Sequence, residues 1–200
     1  LIYDGEMSPD NGRFPHPHVN NTLQWGFLVH NMHTNHVVTV LMTLGRLSEP
    51  PKPARPDIEC HIYSFDTEQE LLRNVCMFSR VLRPSCHIQW NGNSFDIPWL
   101  YERARHLGLC CARDFGSRMR GKDVYWKSGQ GAGKRLITQM YMPGTICLDG
   151  MLVAQVERPT LGSYSLNFMG ELLLDQRKVD LNHERIPELQ QSAEGRAGLA

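Results

Sequence analysis

Two apolar segments, at residues 23–30 and 37–44, the second of them rich in β-branched residues, flank a short stretch rich in Asn, His and Thr. β-Branched side chains pack well on a pleated surface, and a short polar connection between such runs is typical of two antiparallel strands. Residues 1–3 begin a strand before them, and residues 60–65 can add another after a loop with four prolines between residues 50 and 56. The sequence therefore predicts an opening three-stranded meander.

The first strong helix signal follows this region. Asp66 or Thr67 can cap the helix, and Glu70 stands where a capping box from Thr67 requires it. Apolar residues then recur at three- and four-residue spacing until Pro84, which predicts the end of the helix.

The second half of the chain alternates strand and helix signals. Pro98 suits the first turn of a helix that runs to His106, and Gly108 suits its carboxyl-terminal cap. We also expect strands at residues 86–90 and 145–148, a hairpin in the basic, glycine-rich stretch between them, and helices at residues 149–156, 163–174 and 183–199. The order β-β-β-α-β-α-β-α predicts a mixed α/β fold.

Composition narrows the class of protein. The 200 residues are 41% hydrophobic and 21% charged, as in one ordinary globular domain. No apolar run approaches the roughly 18 residues of a membrane span, and no signal peptide is evident. The six Cys lack C-x-x-C spacing and predict reduced thiols in an intracellular protein.

Three acidic residues indicate the chemistry. Asp4 and Glu6 form a D-x-E pair on the first strand, where side chains that are two residues apart lie on the same side of the pleat. Asp96 comes ninety residues after Glu6, at a junction between a strand and a helix. Carboxylate oxygens bind Mg²⁺, and a pair of such ions stabilises the attacking and leaving oxygens of a phosphodiester displacement. The pattern predicts a metal-dependent nuclease site.

These motifs resemble those of the 3′-5′ proofreading exonuclease domain of family B DNA polymerases, especially the eukaryotic delta and herpesvirus kinds. Residues 3–6 (YDGE) are similar to its first motif, usually F-D-I-E, and Phe14-Pro15-x-Pro17 follows as in those polymerases. Residues 91–100 (NGNSFDIPWL) resemble its second motif, and residues 161–167 (LGSYSLN) a later signature that precedes Lys178 and Asp180. The resemblance implies a ribonuclease H-like fold, a mixed sheet with flanking helices.

The resemblance also implies roles for individual residues. Asp4, Glu6 and Asp96 would be the catalytic residues that hold two Mg²⁺ or Mn²⁺ ions. Asn91 and Phe95 would line the channel for a single-stranded 3′ end, with Phe95 stacked against a terminal base. The hairpin that helps to part primer from template would supply further DNA contacts from Arg118, Arg120, Lys122, Lys134 and Arg135. DNA, a processivity factor and a nuclear location are implied in the same way.

Four positions depart from the family pattern without removing a carboxylate. Gly5 replaces an aliphatic residue, residues 89 and 90 are Gln-Trp where Gly-Tyr is usual, and Thr160 replaces a common Lys. The third exonuclease motif, Y-x-x-x-D, is expected just beyond Ala200. We therefore expect residues 1–200 to be an exonuclease domain cut from a longer polymerase before that motif, with the palm, fingers and thumb outside this chain and the isolated segment inactive.

Several other patterns compete with this interpretation. Residues 57–60 (DIEC) match the first motif better by letter, but they leave no room for the meander before Asp96. The histidines at 30, 33 and 36 have a spacing that could suggest zinc but lie in a turn between strands. Residues 131–135 lack the Ser or Thr of a phosphate loop. The basic stretch could be a solvated loop.

Three further side chains are expected to be structural: Asp149, which could also support a neighbouring ligand, and Tyr164 and Leu166, which we expect in helix packing. Two functional alternatives remain: a free-standing exonuclease of the same fold, and a catalytically silent domain that binds DNA or acts as a scaffold.

Overall fold

The computed structural model describes residues 1–9, 15–51, 57–110, 125–130, 136–177 and 185–199, and only the backbone of residues 125–130 and 136–140. The described strands are β1 (Ile2–Met7), β2 (Thr22–Asn31), β3 (His36–Leu44), β4 (Glu59–Phe65), β5 (Cys86–Gln89), β6 (Tyr125–Gln130), β7 (Leu136–Tyr141) and β8 (Ile146–Asp149). The described helices are α1 (Glu68–Leu82), α2 (Asp96–His106), α3 (Gly150–Glu157), α4 (Leu166–Leu174), α5 (Ile186–Leu189) and α6 (Ala193–Leu199).

Six strands form one mixed sheet in the order β4-β3-β2-β1-β5-β8. The pairs β1–β2 and β2–β3 are antiparallel, which confirms the predicted meander. The pairs β3–β4, β1–β5 and β5–β8 are parallel. Strands β6 and β7 form a separate antiparallel hairpin, as the sequence predicts. The predicted mixed α/β fold is therefore confirmed.

Helix α1 begins and ends as its sequence predicts. The backbone N–H of Glu70 donates to Thr67 Oγ1 at 3.2 Å, and that of Thr67 donates to Glu70 Oε2 at 3.2 Å, which completes the capping box. Arg83 closes the helix in the left-handed conformation, with φ 48°, one residue before Pro84. Three residues of the apolar stripe of α1 are fully buried against the sheet: Leu71, Leu72 and Val75.

The core lies on one face of the sheet. Along β1, Tyr3, Gly5 and Met7 are buried, whereas Asp4 is exposed and Glu6 is half-buried. Aromatic and apolar residues of β2 and β3 join Tyr3 and Met7 under α1 and α2, among them Trp25, Phe27, Val40 and Met42. Because side chains alternate along β1, the carboxylates of the D-x-E pair lie on the face of the sheet opposite the core.

The predicted helix at residues 183–199 is wrong as one continuous element, because α5 and α6 are separate in the described residues 185–199. Ser192 starts the second helix, since its Oγ accepts from the Gly195 backbone N–H at 2.9 Å. A Cβ at Gly195 would lie 2.1 Å from the Leu189 carbonyl oxygen, so the two helices approach too closely for a larger residue. Helix α4 begins at Leu166 rather than residue 163, because the Ser165 side chain caps it.

No helix among the described segments is long and apolar enough to cross a membrane.

Candidate active site

A cleft of about 1320 Å³ crosses the sheet face that carries Asp4 and Glu6. Its walls are the end of β5, the residues that lead into α2, the start of α3 and residues 162–166. Pockets for drug-sized molecules span roughly 300–1,000 Å³, and this cleft is larger than that range.

Strand β1 positions two carboxylates in this cleft. Asp4 and Glu6 both line it, as the D-x-E spacing predicts. Asp4 pairs across the sheet with Gly26, and a Cβ at Gly26 would meet no atom within 4 Å. The cleft floor beside Asp4 is therefore open.

Asp96 is the first residue of α2 and lines the same cleft. Only 4% of its surface is exposed, and its Oδ1 has no hydrogen-bond partner among the described residues. Burial, together with the negative charge of Asp4, raises the pKa of the Asp96 carboxyl from 3.8 to about 7, and a hydrogen bond to the Gly5 backbone opposes this shift. A nearby cation would reverse it, because an opposite charge favours the carboxylate.

These three carboxylates fit a hard divalent cation in their chemistry. All three offer oxygen atoms, and the buried Asp96 Oδ1 still needs a partner. Among the residues that the structure describes, however, no three Asp, Glu, His or Cys side chains form a closed metal cage. Carboxylates repel one another, so Asp4, Glu6 and Asp96 would draw together around a cation rather than before it binds.

Asn91 and Phe95, the predicted DNA contacts in this part of the chain, also line the cleft. Asn91 has a φ of 58°, a left-handed conformation that Asn tolerates better than most residues. Its Oδ1 is buried without a hydrogen-bond partner among the described residues. Phe95 is half-buried, and its ring centroid lies 6.0 Å from that of Trp99. Both side chains are therefore placed where a ligand in the cleft would pass.

The other predicted DNA contacts, Arg118, Arg120, Lys122, Lys134 and Arg135, lie outside the described residues, as does the rejected phosphate loop at 131–135. The described backbone of β6 and β7 belongs to the same basic stretch. The DNA-binding roles of these five basic residues remain predictions.

The competing acidic motif at residues 57–60 lies far from Asp96. Glu59 opens β4, at the opposite side of the sheet from β5 and β8. Its carboxylate contacts His61 Nε2 at 3.1 Å. In the β2–β3 turn, His30 Nε2 contacts Asn35 Oδ1 at 2.9 Å. Cys60 lines the cleft at its β4 side, but the carboxylates of Asp57 and Glu59 and the three histidines of the turn do not line it.

Gly5 has a structural reason to depart from the aliphatic residue of the family pattern. A Cβ at Gly5 would lie 2.6 Å from Trp25 Cζ3, because Trp25 is its cross-strand partner and is fully buried. The indole ring thus occupies the space beside the Gly5 backbone. The Trp25 ring in this position therefore leaves no room for a side chain at residue 5.

Two expectations for residues 161–167 have different outcomes. The hydroxyl of Tyr164 donates to the Arg158 carbonyl oxygen, and its own carbonyl oxygen accepts from Trp90 Nε1 at 3.3 Å, so Tyr164 joins two parts of the cleft wall. Leu166 is 44% exposed and lines the cleft, so its assignment to helix packing is wrong. The sequence alone does not show that Leu166 reaches the cleft wall; the folded structure does.

Asp149 caps a helix, as expected of a structural residue, but its carboxylate also contacts the residues that lead into α2. Its Oδ1 accepts from the Met151 backbone N–H at 3.1 Å, which caps α3. The same carboxylate also accepts from the backbone N–H groups of Asn91, at 2.9 Å, and Asn93, at 3.1 Å. The sequence offers no signal for these long-range contacts.

Comparison with known proteins agrees with this geometry. Residues 1–169 match the family described as DNA polymerase family B, exonuclease domain. The chain is 32% identical over 206 residues to the DNA polymerase delta catalytic subunit of Glycine max, covering 100% of this chain and 18% of that protein. It is 26% identical over 201 residues to the Bos taurus delta catalytic subunit (95% and 17%), and 29% identical over 150 residues to the DNA polymerase catalytic subunit of Murid herpesvirus 1 (72% and 14%). The chain thus spans less than a fifth of these relatives.

Proposed function

The chain belongs to the exonuclease domain family of the family B DNA polymerases, and from this we propose that it removes mispaired nucleotides from the 3′ end of a DNA primer for a replicative polymerase of the delta or herpesvirus kind. Family membership and the mixed sheet agree on a ribonuclease H-like fold.

The observation that carries the proposal is the meeting of Asp4, Glu6 and Asp96 in one cleft from two distant parts of the sequence. These carboxylates would hold Mg²⁺ or Mn²⁺, in our proposal two ions. Such ions, when bound, activate a water and stabilise the charge on the leaving oxygen. A site of this kind suits hydrolysis of the last phosphodiester.

The chain's own residues would orient the substrate. Strand β1 fixes the directions of Asp4 and Glu6 through its pleat, and α2 holds Asp96 at its first residue. Phe95 would stack against the terminal base, a contact worth about 1–3 kcal/mol that tolerates any base. The side-chain amide of Asn91 would hydrogen-bond the DNA strand that carries this base. Recognition that tolerates any base is what removal of any mispaired nucleotide requires.

We also propose one domain for residues 1–200. Residues beyond the family match are tied to the sheet: Gln190 Nε2 donates to the Leu44 carbonyl oxygen at 2.8 Å, and Gln24 Nε2 donates to that of Arg196 at 3.2 Å. Polymerase activity, a processivity factor and action in the nucleus are further proposals for the whole protein, by likeness to its relatives.

The test is an exonuclease assay on the full-length gene product with a primer that carries a 3′ mismatch. The wild-type protein should shorten the primer from its 3′ end only with Mg²⁺ or Mn²⁺ present. Asp4→Asn and Asp96→Asn should each lower the rate by at least 100-fold while the melting temperature does not fall below that of wild type. A wild-type protein that binds DNA without cleaving it would overturn the proposal and favour a silent domain.

A further inference from the structure

Four buried side chains form a polar network beneath the residues that join β5 to α2. We call Tyr3, Gln89, Asn93 and Asp149 the loop clamp. The Tyr3 hydroxyl donates to Gln89 Oε1 at 2.7 Å, and Gln89 Nε2 donates to Asn93 Oδ1 at 3.0 Å. The Asn93 backbone N–H then donates to Asp149 Oδ2 at 3.1 Å. At most 5% of each residue is exposed, so these hydrogen bonds are shielded from water.

The clamp joins three neighbouring strands of the sheet. Tyr3 precedes Asp4 on β1, Gln89 ends β5, and Asp149 ends β8. Gln89 and Asp149 are register partners on parallel neighbours, so their side chains lie together at the carboxyl ends of both strands. In open α/β sheets this end of the strands is where ligands bind.

The clamped turn has a conformation that needs support. Asn91 has a φ of 58°, and its backbone N–H is held by Asp149 Oδ1 at 2.9 Å. Strained backbone persists only where its surroundings fix it, and it concentrates at functional sites. Asp149 fixes both ends of the segment 91–93, while the Gly92 carbonyl oxygen accepts from the Ile97 N–H at 2.9 Å inside α2. The position of Asp96 therefore depends on this turn.

We propose that the loop clamp positions Asn91 and Asp96 for the exonuclease reaction, with Asp149 as its central positioning residue. The inference rests on the proposed function and deepens it. Asp149 acts through hydrogen bonds to backbone N–H groups. Gln89 adds a second connection, which links Asn93 to Tyr3 on the strand that carries Asp4. Gln89 makes this connection by contacting Tyr3 through its Oε1 and Asn93 through its Nε2.

Asp149→Asn is the decisive variant, because Asn remains a good helix cap but has only one acceptor oxygen. That oxygen can serve Asn91 and Met151, and the new NH₂ group then faces the Asn93 N–H. Residues that orient metal ligands typically contribute 10–100-fold to affinity or activity. In the full-length gene product, we expect the rate at saturating oligonucleotide to fall 10–100-fold, and the Mn²⁺ concentration for half-maximal rate to rise.

Thr67→Ala is the matched control. It removes the cap of α1, far from the cleft, and should lower the melting temperature while the exonuclease rate stays within twofold of wild type. A merely structural role for Asp149 would give the two variants the same rates. That result, or an Asp149→Asn rate within twofold of wild type, would overturn the proposal.

Gln89→Leu decides the question if Asp149→Asn fails to fold. We expect it to lower the rate at least threefold and to raise the Mn²⁺ requirement, and an unchanged rate and requirement would overturn the proposal. Asp4→Asn separates a failure of the proposed exonuclease function from a failure of the proposed role of the loop clamp. If it keeps wild-type activity, the proposed function itself fails; if it is inactive while the clamp variants are normal, only the clamp fails.

Discussion

At the scale of single residues, the buried carboxyl group of Asp96 opposes folding when it is charged. The carboxyl group is protonated in both the folded and the unfolded chain below its ordinary pKa of 3.8. Between pH 3.8 and about 7, the folded chain keeps a proton that the unfolded chain has lost, so the free energy of unfolding falls as the pH rises through this window. Above about pH 7 the loss is complete.

We therefore expect Asp96→Asn to be more stable than wild type at pH 8 without divalent cations. The gain should be small near pH 4, grow up to pH 7 and reach at most about 4 kcal/mol, since each pKa unit corresponds to about 1.4 kcal/mol. Urea unfolding in the presence of a chelator measures it. A gain that does not change between pH 4 and pH 8 would contradict the account.

Gly5 is a second residue whose identity depends on one neighbour. We expect Gly5→Ala to lower the free energy of unfolding by about 1–3 kcal/mol, because its Cβ would overlap the buried Trp25 ring. Gly26→Ala, on the neighbouring strand, is the control and should cost less than about 0.5 kcal/mol. Equal stability of the two variants in urea unfolding would show that Trp25 does not fill the space.

At the scale of elements, the buried Arg103 of α2 joins that helix to α1 and to the loop before β2. Its guanidinium contacts Glu68 Oε2 at 2.6 Å, and it also donates to the Pro17 carbonyl oxygen and Asn21 Oδ1. The orientation of α2, and hence of Asp96 at its start, depends on these contacts.

Arg103→Leu should therefore lower the free energy of unfolding by about 3–5 kcal/mol, since it leaves Glu68 buried and uncompensated. Arg105→Leu is the control on the same helix. Its ion pair with Glu102 is exposed, so its loss should cost under about 1 kcal/mol. Thermal unfolding of both variants measures the difference, and similar melting temperatures would contradict the role of Arg103.

Elements with local signals were the predictable ones. Thr67 and Glu70 specify the start of α1 through contacts three residues apart, and the spacing of Asp4 and Glu6 alone assigns both to one face. The break between α5 and α6 is not predictable from the sequence, because a Ser can also lie within a helix. Only the structure shows that Ser192 Oγ accepts a hydrogen bond from the Gly195 backbone N–H. The loop clamp joins residues 86 positions apart, and no local pattern encodes it.

At the scale of the whole molecule, the sheet order brings the site together. Strand β1 lies between β2 and β5, so a residue early in the chain becomes a neighbour of one almost ninety positions later, as Ile2 and Ile88 show. The fold class and the three carboxylates were predictable from motif order. Their common cleft with residues 162–166 follows only from the folded sheet.

The most direct test of the central claim is calorimetric titration of the protein with Mn²⁺. Wild-type protein should bind the ion, and Asp4→Asn, Glu6→Gln and Asp96→Asn should each weaken binding at least tenfold, because each removes an oxygen ligand from one site. Glu59→Gln, in the competing acidic motif, should bind as wild type does. Equal Mn²⁺ affinity in the wild type and the three site variants would contradict a shared metal site in this cleft.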